Sequence, residues 1–337
     1  MRRETKITGI GSAFPEHIVT NDALVLKLAQ RGLETSSQWI IERTGMLERR
    51  ESDPDNPNEY NSALGTRAAI LALEMAQKQP KDIDLILYAT CSPDTPLPSS
   101  ACWLQSHIGA SKAWGMDINA ACSGFVYGLA TADQFIKSGG AETILVVGAE
   151  VLSSIINWDD RSSCILFGDG AGAVLVEPAT DEDTSQIFSF KMQSDGNLWD
   201  LLHIPGGGSR MELTPERYEQ KLHKLRMHGR DVFKNAVRKL VQFAEDQLQI
   251  NGMTVDDLDW LVPHQANQRI IDAVAERLGF PEEKVLINVD RYGNTSSATV
   301  PTVLDEAVRE GKIKRGDTLL MDVFGSGLTY GAILLRW

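Results

Sequence analysis

The sequence predicts an α/β protein made of two duplicated halves. Apolar, strand-like runs alternate along its 337 residues with segments of helical periodicity, a pattern typical of strands layered against helices. Four of these segments recur in the same order at offsets of 170 to 175 residues. No low-complexity or Pro/Gly-rich linker divides the chain, so we expect the halves, residues 1–180 and 181–337, to form one compact body.

Two matched pairs of strands define the repeat. An Asp-Ile-Asp sequence at 82–84 leads into LILYAT, and an Asp-Leu-Asp sequence at 257–259 leads into WLVPHQ. Glu142 precedes a second apolar run, ILVVGAE, and Asp317 precedes LLMDVFG, 175 residues later. Because both pairs have the same offset, a duplicated α/β architecture explains them better than chance; the alternative is that any doubly wound protein repeats strand–helix units.

Matched helices lie between these strands. Each half carries a helix-like segment that ends in glycine, LQSHIGA at 104–110 and AVAERLGF at 273–280. A short strand is predicted after each, WGMDINA in the first half and KVLINVD in the second. A turn of small residues then opens another helix, and we expect the turns around Cys122 and Asn294 to face each other, where α/β sheets usually place ligands.

A glycine-rich segment at 168–173, GDGAGA, invites comparison with a dinucleotide-binding loop. Its glycines do not have the GxGxxG spacing, and the VLVEP that follows is typical of a strand rather than a helix, so the Rossmann interpretation is excluded. We predict that this segment and its counterpart at 324–327, FGSG, are tight turns between antiparallel strands. Such a turn can bring a backbone N–H against a substrate oxygen.

Composition narrows the function. There are 33 Lys and Arg against 46 Asp and Glu, so the net charge of −13 disfavours nucleic acid and anionic membranes as partners. The four cysteines, at 91, 102, 122 and 164, form no CxxC pair, which argues against a disulfide framework and a metal site. No signal peptide and no run of eighteen apolar residues is found, so we expect a soluble, cytoplasmic protein.

Three reactive side chains stand where strand-like runs meet helices. Cys122 begins a helix, whose free N–H groups favour a thiolate, although a buried structural cysteine is the common alternative. His264 follows a strand and could equally be a surface or satisfied core histidine. Asn294, in a Gly-Asn sequence, is also a typical helix cap. Three polar groups at equivalent junctions of related halves favour one convergent site.

These motifs resemble those of the β-ketoacyl-acyl-carrier-protein synthase III family of thiolase-like enzymes. The motifs that carry the resemblance are Ala-Cys-Ser-Gly at 121–124, Phe-Gly-Asp-Gly-Ala-Gly-Ala at 167–173, Pro-His-Gln-Ala-Asn at 263–267 and Gly-Asn-Thr-Ser at 293–296. The resemblance runs nearly end to end. It implies a five-layered αβαβα thiolase-like fold, a homodimer, and decarboxylative Claisen condensation of an acyl-CoA primer with malonyl-carrier protein, the reaction that initiates fatty-acid synthesis.

The resemblance also assigns the chemistry. Cys122 would become acylated, and His264 and Asn294 would stabilise the malonyl-derived enolate as neutral hydrogen-bond donors. The backbone N–H groups of Cys122 and Ser326 would hold the oxyanion of the acyl group. Ser326 departs from the family, which commonly has an unbroken glycine run at this turn, but a backbone donor survives the change.

Coenzyme A recognition is expected at a short helix. Trp39 and Arg43, in the family's Trp-Ile-x-x-Arg-Thr-Gly motif, are four residues apart on a helix entered at Ser36 or Ser37. They therefore share one face and combine an aromatic plane with a cation, which adenine stacking and phosphate pairing need. Arg161 resembles the second wall of the adenine site. Without the resemblance, each arginine would be interpreted as a solvated surface charge.

Carrier docking and primer selection are expected at other positions. Arg269 resembles the family's carrier-contact arginine, and Lys234 on the preceding predicted helix is a further candidate. Leu97 stands where many relatives place a phenylalanine from the partner subunit against the primer, so a longer or branched acyl group is conceivable here. The charged segment at 203–230 is expected either to shape the substrate entrance or to form a surface excursion.

Acyl-CoA is a substrate in this interpretation, and no resident cofactor or metal is expected. A relative from secondary metabolism that transfers the acyl group of Cys122 to another nucleophile is the nearest alternative. A cysteine hydrolase would also use Cys, His and Asn, but it would need no extender and no coenzyme A site. A non-catalytic dimerisation subunit is disfavoured because all three reactive residues are present.

Overall fold

A computed structural model describes residues 4–337 as mixed α/β. In chain order its strands are β1 (Thr5–Ala13), β2 (Ile18–Thr20), β3 (Glu48–Arg50), β4 (Leu85–Ala89), β5 (Trp114–Ile118), β6 (Ile144–Glu150), β7 (Gly170–Pro178), β8 (Gln186–Ser194), β9 (Leu202–His203), β10 (Arg226–Met227), β11 (Trp260–Pro263), β12 (Thr318–Gly325) and β13 (Thr329–Arg336). Its α-helices are α1 (Asn21–Ala29), α2 (Ser37–Thr44), α3 (Asn61–Ala76), α4 (Ser100–Ile108), α5 (Gly124–Ser138), α6 (Arg161–Cys164), α7 (Pro215–Glu219), α8 (Gly229–Ile250), α9 (Gln268–Leu278), α10 (Val289–Tyr292) and α11 (Thr299–Arg309).

Two sheets carry the repeat. The first has the order β1-β7-β6-β4-β5 and the second has the order β8-β13-β12-β11. In each sheet the repeated strands are parallel neighbours, β4 with β6 and β11 with β12, and the next strand, β7 or β13, runs antiparallel. The sheet order therefore confirms the duplication that the sequence predicts.

The repeat is incomplete at one edge. WGMDINA forms β5 beside β4 as predicted, but the strand predicted from KVLINVD is wrong. In that segment only Val285 makes an isolated parallel bridge, to Leu261. The chain then turns at once into the short helix α10, so the second sheet ends after β11.

The apolar faces of the sheets and helices pack the molecule into five layers. One buried cluster combines the inner faces of both sheets with α5 and α11, which therefore form a central helical layer. Two further clusters cover the outer faces, with α3 and α4 on the first sheet and α8 and α9 on the second. This is the αβαβα architecture expected of a thiolase-like protein. The two central helices, α5 and α11, begin close to each other.

Helix ends match the glycine signals. Both α4 and α9 end at glycines in the left-handed conformation, Gly109 (φ 73°) and Gly279 (φ 66°), where other residues would be strained. No helix in residues 4–337 is both long enough and apolar enough to cross a membrane.

The two glycine-rich segments differ in role. The segment at 324–327 joins β12 to β13 in a tight antiparallel turn, as predicted. The prediction for 168–173 is wrong, because Gly170 already begins β7. These glycines serve close packing instead: a Cβ on Gly172 would lie 2.7 Å from Pro301, which shows how closely α11 lies on the strand.

Candidate active site

A cavity of about 580 Å³ lies where the two halves meet, at the starts of the central helices α5 and α11. We call it the main cavity. Seven of the residues singled out from the sequence line it, although they are scattered over more than 250 positions of the chain. They are Trp39, Arg43, Cys122, Arg161, His264, Arg269 and Asn294. The predicted nucleophile, enolate donors and coenzyme A residues thus share one space.

Cys122 lies in a 3-10 turn that leads directly into α5. The preceding residue, Ala121, has a left-handed φ of 48°, a strained conformation that is often found at functional sites. The thiol is buried, and burial raises its pKa to about 12, against the opposing effect of the Ser296 hydroxyl. Desolvation therefore opposes the thiolate that the free N–H groups at the helix start favour.

Asn294 belongs to a second turn of the same kind. Ser296, 175 residues after Ala121, also has a left-handed φ of 52° and begins the 3-10 turn that precedes α11. The Ser296 backbone N–H donates to Asn294 Oδ1 at 2.8 Å. The amide oxygen therefore closes a turn immediately before the helical segment, whose N-cap position is Thr295. Its orientation leaves the Nδ2 donor available, and Asn294 lines the cavity.

His264 follows β11 and is 2% exposed. Its Nδ1 lies 2.6 Å from the Thr299 hydroxyl, whereas its Nε2 is buried without a hydrogen-bond partner in the described chain. The ring also contacts Phe324 edge-on, at 5.3 Å between centroids. Burial lowers the pKa of His264 to about 3, so the imidazole is neutral at physiological pH.

The backbone beside Cys122 is tightly enclosed. A Cβ on Gly325 would lie 2.8 Å from the Cys122 backbone nitrogen, so only glycine permits this approach of β12 to the nucleophile turn. Ser326 follows, and its hydroxyl donates to the carbonyl of Leu202. The turn at 324–327 thus lies against the nucleophile, although Ser326 lines a neighbouring cavity rather than the main one.

Trp39 lines the main cavity and lies close to two cations. The Ser36 hydroxyl caps α2 by accepting from the Trp39 backbone N–H, as the sequence suggests. The guanidinium carbons of Arg43 and Arg161 lie 5.5 and 4.6 Å from the centre of the indole ring. An aromatic face with two cations suits a nucleotide bearing phosphates.

The remaining predicted residues lie apart from the nucleophile. Arg269 lines the cavity and places its guanidinium 5.9 Å from the Phe233 ring. Lys234 is exposed on α8 and does not line the cavity. Leu97 is 85% exposed and lines neither cavity that contains Cys122, which is compatible with a position that acts only in a partner subunit.

A second cavity, of about 210 Å³, is also lined by Cys122 and was not predicted from the sequence. Its walls are largely apolar, and they include Cys91, Leu152, Ile155, Phe167, Leu202, Ile204 and Leu225. The segment at 203–230 supplies residues to this cavity, and Arg230 to the main one. The segment therefore contributes to the walls of both cavities, and its role in shaping the substrate entrance stays a prediction.

Glu150 forms hydrogen bonds to segments of both halves close to the site. This fully buried carboxylate, at the end of β6, accepts hydrogen bonds from the hydroxyls of Ser92, Ser296 and Ser297. Desolvation raises its pKa, which these donors oppose. It thereby links the loop after β4 to the Asn294 turn. No single-residue signal in the sequence identified Glu150, because its importance depends on partners from distant segments.

Comparison with known proteins identifies the family. Two family profiles match: 3-oxoacyl-[acyl-carrier-protein (ACP)] synthase III over residues 116–196 and its C-terminal counterpart over residues 248–337. The chain is 47% identical over 337 residues to a β-ketoacyl-[acyl-carrier-protein] synthase III of Methylococcus capsulatus, and the match covers all of both proteins.

Solved structures give the same result. The 3-oxoacyl-[acyl-carrier-protein] synthase III of Aquifex aeolicus matches with a TM-score of 0.89 and 43% identity, covering 99% of this chain and 100% of that one. A priming β-ketosynthase from the R1128 polyketide pathway matches with a TM-score of 0.89 and 36% identity, covering 99% and 97%. The thiolase-like fold is therefore confirmed.

Proposed function

The chain belongs to the 3-oxoacyl-[acyl-carrier-protein] synthase III family and is a condensing acyltransferase, and we propose that its main cavity joins an acyl primer to malonyl-carrier protein with loss of CO₂. One observation carries the assignment of residues. A thiol, a neutral imidazole and an amide donor line the same cavity as an aromatic ring that lies close to two arginines.

The first step transfers the primer to Cys122. The thiol loses its proton, the sulfur attacks the thioester carbonyl of acyl-CoA, and coenzyme A leaves with a proton. The backbone N–H groups of Cys122 and Ser326 stabilise the oxyanion. The apolar second cavity beside Cys122 accepts the acyl chain, and its volume of about 210 Å³ suits a short primer.

The second step makes the nucleophile. The bond between the malonyl carboxylate and its α-carbon breaks, CO₂ leaves, and the electron pair forms an enolate at the thioester. His264 and Asn294 donate hydrogen bonds to that oxygen, each worth about 3 kcal/mol if they act like other oxyanion donors. The enolate carbon then attacks the acyl group on Cys122, and the thiolate leaves and is reprotonated.

The environment of His264 favours this donor role over hydrolysis. A cysteine hydrolase needs a histidine that accepts the thiol proton and remains positively charged. Here burial lowers the pKa of His264 to about 3, and its Nδ1 partner is a hydroxyl rather than a carboxylate. An imidazolium would therefore be poorly stabilised, whereas a neutral donor is well suited to an enolate.

Charged residues in and near the main cavity bind the two substrates. Trp39, Arg43 and Arg161 bind the nucleotide end of acyl-CoA, and Arg269 and Lys234 contact the acidic carrier protein. Acyl-CoA enters as a substrate, and the enzyme holds no resident cofactor. Because Arg269 lies at the cavity and Lys234 does not, the arginine is expected to contribute more.

The family further suggests a cytoplasmic homodimer. The support for a dimer is β5, an edge strand that pairs on one side only within residues 4–337 and carries the half-exposed Trp114. Leu97 would then approach the partner's primer pocket. Sedimentation of the intact protein tests this assignment, and a monomer at micromolar concentration would contradict it.

The partial reactions test the proposed function. Intact mass spectrometry after exposure to acyl-CoAs of increasing length should show one acyl adduct, which peptide mapping places on Cys122. Acylation that persists in Cys122→Ala would contradict the nucleophile. His264→Ala and Asn294→Ala should each reduce condensation by about 10² to 10³ while substantial self-acylation remains. Equal loss of both partial reactions would show that the roles are wrongly divided.

A further inference from the structure

The Thr299 hydroxyl is the only hydrogen-bond partner of the His264 ring within the described chain. Thr299 is the first residue of α11 and is buried, and its Oγ1 lies 2.6 Å from His264 Nδ1. Because burial keeps the ring neutral, one ring nitrogen carries a proton and the other carries a lone pair. The partner at Nδ1 therefore influences whether Nε2 can donate a hydrogen bond.

The hydroxyl has one proton and two acceptors within reach. The carbonyl oxygen of Ser296 lies 2.9 Å from Thr299 Oγ1 in a geometry that lets the hydroxyl donate to it, so it competes with His264 Nδ1 for the hydroxyl proton. That carbonyl already accepts the backbone N–H of Thr299 at the end of the 3-10 turn, so it does not depend on the hydroxyl. The shorter contact, to Nδ1, joins the hydroxyl to a ring nitrogen that has no alternative donor in residues 4–337.

We propose that Thr299 is a positioning residue that donates its hydroxyl proton to His264 Nδ1 and thereby holds the ring proton on Nε2. This inference rests on the proposed function, which requires an N–H at Nε2 to stabilise the enolate. Thr299 does not touch the substrate in this proposal. It acts through His264, whose unpartnered Nε2 belongs to a side chain lining the cavity.

A hydroxyl is suited to this task in a way that a carboxylate is not. An ionised carboxylate only accepts hydrogen bonds, so at Nδ1 it would hold the proton there and leave a lone pair on Nε2. It would also favour the positively charged ring, as the aspartate does in serine hydrolases. Threonine can donate, and it adds no charge, so it selects the neutral donor form that condensation needs.

Two variants of Thr299 separate the hydroxyl from the shape of the side chain. Thr299→Val keeps the volume and removes the donor, whereas Thr299→Ser keeps the donor. Thr302→Val is a matched control, because Thr302 is a buried threonine on the same helix whose hydroxyl donates to the Thr299 carbonyl rather than to His264.

The decisive readout is the ¹⁵N spectrum of the intact, acyl-free protein labelled at histidine, with His264 assigned by its loss in His264→Ala. In the wild type, Thr299→Ser and Thr302→Val, Nε2 should resonate as a protonated nitrogen and Nδ1 as an unprotonated one. Thr299→Val should show averaged resonances of two tautomers. A wild-type spectrum with the proton on Nδ1 would overturn the proposal whether or not the enzyme condenses malonyl-carrier protein.

Kinetics supply the second readout. Thr299→Val should lower kcat for condensation by about 10- to 100-fold, the usual range for a residue that orients a reacting group, while KM and self-acylation change much less. Thr299→Ser should restore most of kcat. An unchanged kcat in Thr299→Val, or a fall without a change in the His264 resonances, would also overturn the proposal. A wild type that acylates but does not condense would contradict the proposed function instead.

Discussion

At the scale of single residues, Cys122 combines a helix start with a buried thiol that lines two cavities. Because burial raises its pKa to about 12, the thiolate fraction at pH 7 is very small. This differs from the simple expectation from the sequence, in which the free N–H groups of the helix alone would activate the sulfur.

The reactivity of Cys122 should consequently depend steeply on pH. Below the pKa, each unit of pH raises the thiolate fraction tenfold, so alkylation of Cys122 by iodoacetamide should accelerate about tenfold per unit between pH 7 and 9. Cys102, which is exposed, provides an internal comparison in the same peptide map. A plateau in the rate for Cys122 below pH 8 would show a thiolate that the helix stabilises.

Asp322 is a second residue whose ionised form is destabilised by burial. It is fully buried on β12, and neither carboxylate oxygen has a well-aligned partner in the described chain. Burial raises its pKa to about 7, against the opposing effect of its own backbone N–H. The folded protein therefore binds a proton between about pH 4 and pH 7 that the unfolded chain releases, and stability from this group falls as pH rises through that range.

Asp322→Asn should therefore stabilise the protein at pH 8, raise its Tm by several degrees and flatten the dependence of Tm on pH between about 5 and 7. Asp169→Asn is a matched control, because burial also raises the pKa of Asp169, to about 6, but its carboxylate accepts hydrogen bonds from Ser52 and Ser153. The control should lower Tm, since it replaces one acceptor with a donor. Stabilisation by both variants, or by neither, would contradict this difference.

At the scale of elements, the turn between β12 and β13 positions backbone donors against Cys122. Gly325→Ala would place a methyl group 2.8 Å from the Cys122 nitrogen and 3.0 Å from the Ala120 carbonyl oxygen. The strand or the nucleophile turn must then shift. Self-acylation should fall at least tenfold, because an oxyanion donor displaced from its position loses most of its effect.

Gly196→Ala serves as the control for that change. Gly196 has no neighbouring atom within 4 Å of an added Cβ and no left-handed φ, so the same substitution there should leave acylation unchanged. Both variants are assayed by single-turnover acylation and by thermal unfolding. Wild-type acylation rates in Gly325→Ala would show that the turn tolerates displacement and does not form the oxyanion hole.

Local signals in the sequence predicted most elements correctly. The glycines that end α4 and α9, the serine cap of α2 and the matched strands of the repeat are all determined by nearby residues. The two errors concern tertiary packing. Gly172 avoids a clash with α11 rather than making a turn, and KVLINVD lies at a sheet edge where the chain enters α10. Neither neighbour is visible in the local pattern.

Prediction of the site was limited in the same way, because local patterns do not reveal tertiary contacts. Its reactive residues were found because each stands at a strand–helix junction, which a periodic pattern reveals. Thr299, Glu150 and the second cavity were not found, because each depends on partners from distant segments. The placement of the boundary between the halves at residue 180 stays a prediction.

At the scale of the whole molecule, a protein of net charge −13 must attract an acidic carrier through a local patch. Charges more than about 8 Å apart at the surface are largely screened at physiological salt, so the cations beside the cavity determine whether the carrier protein is attracted. Arg269 and Arg230 line the cavity, whereas Arg277 lies two turns farther along α9.

Arg269→Glu should therefore raise KM for malonyl-carrier protein at least tenfold and leave self-acylation by a short acyl-CoA much less affected. Arg277→Glu makes the same change of charge on the same helix away from the cavity, and it should have a smaller effect. Added salt should reduce the difference between the two variants. Equal KM values for both variants would place the docking surface elsewhere.

The central claim is that acyl-Cys122 is an intermediate consumed by a decarboxylated extender, and a single-turnover experiment tests it most directly. The enzyme is acylated, freed of acyl-CoA and mixed with malonyl-carrier protein while mass spectrometry follows both proteins. We expect loss of the acyl group from Cys122, formation of β-ketoacyl-carrier and release of CO₂ in equal amounts. Free acid formed without an extender, or acyl transfer without CO₂, would contradict the account.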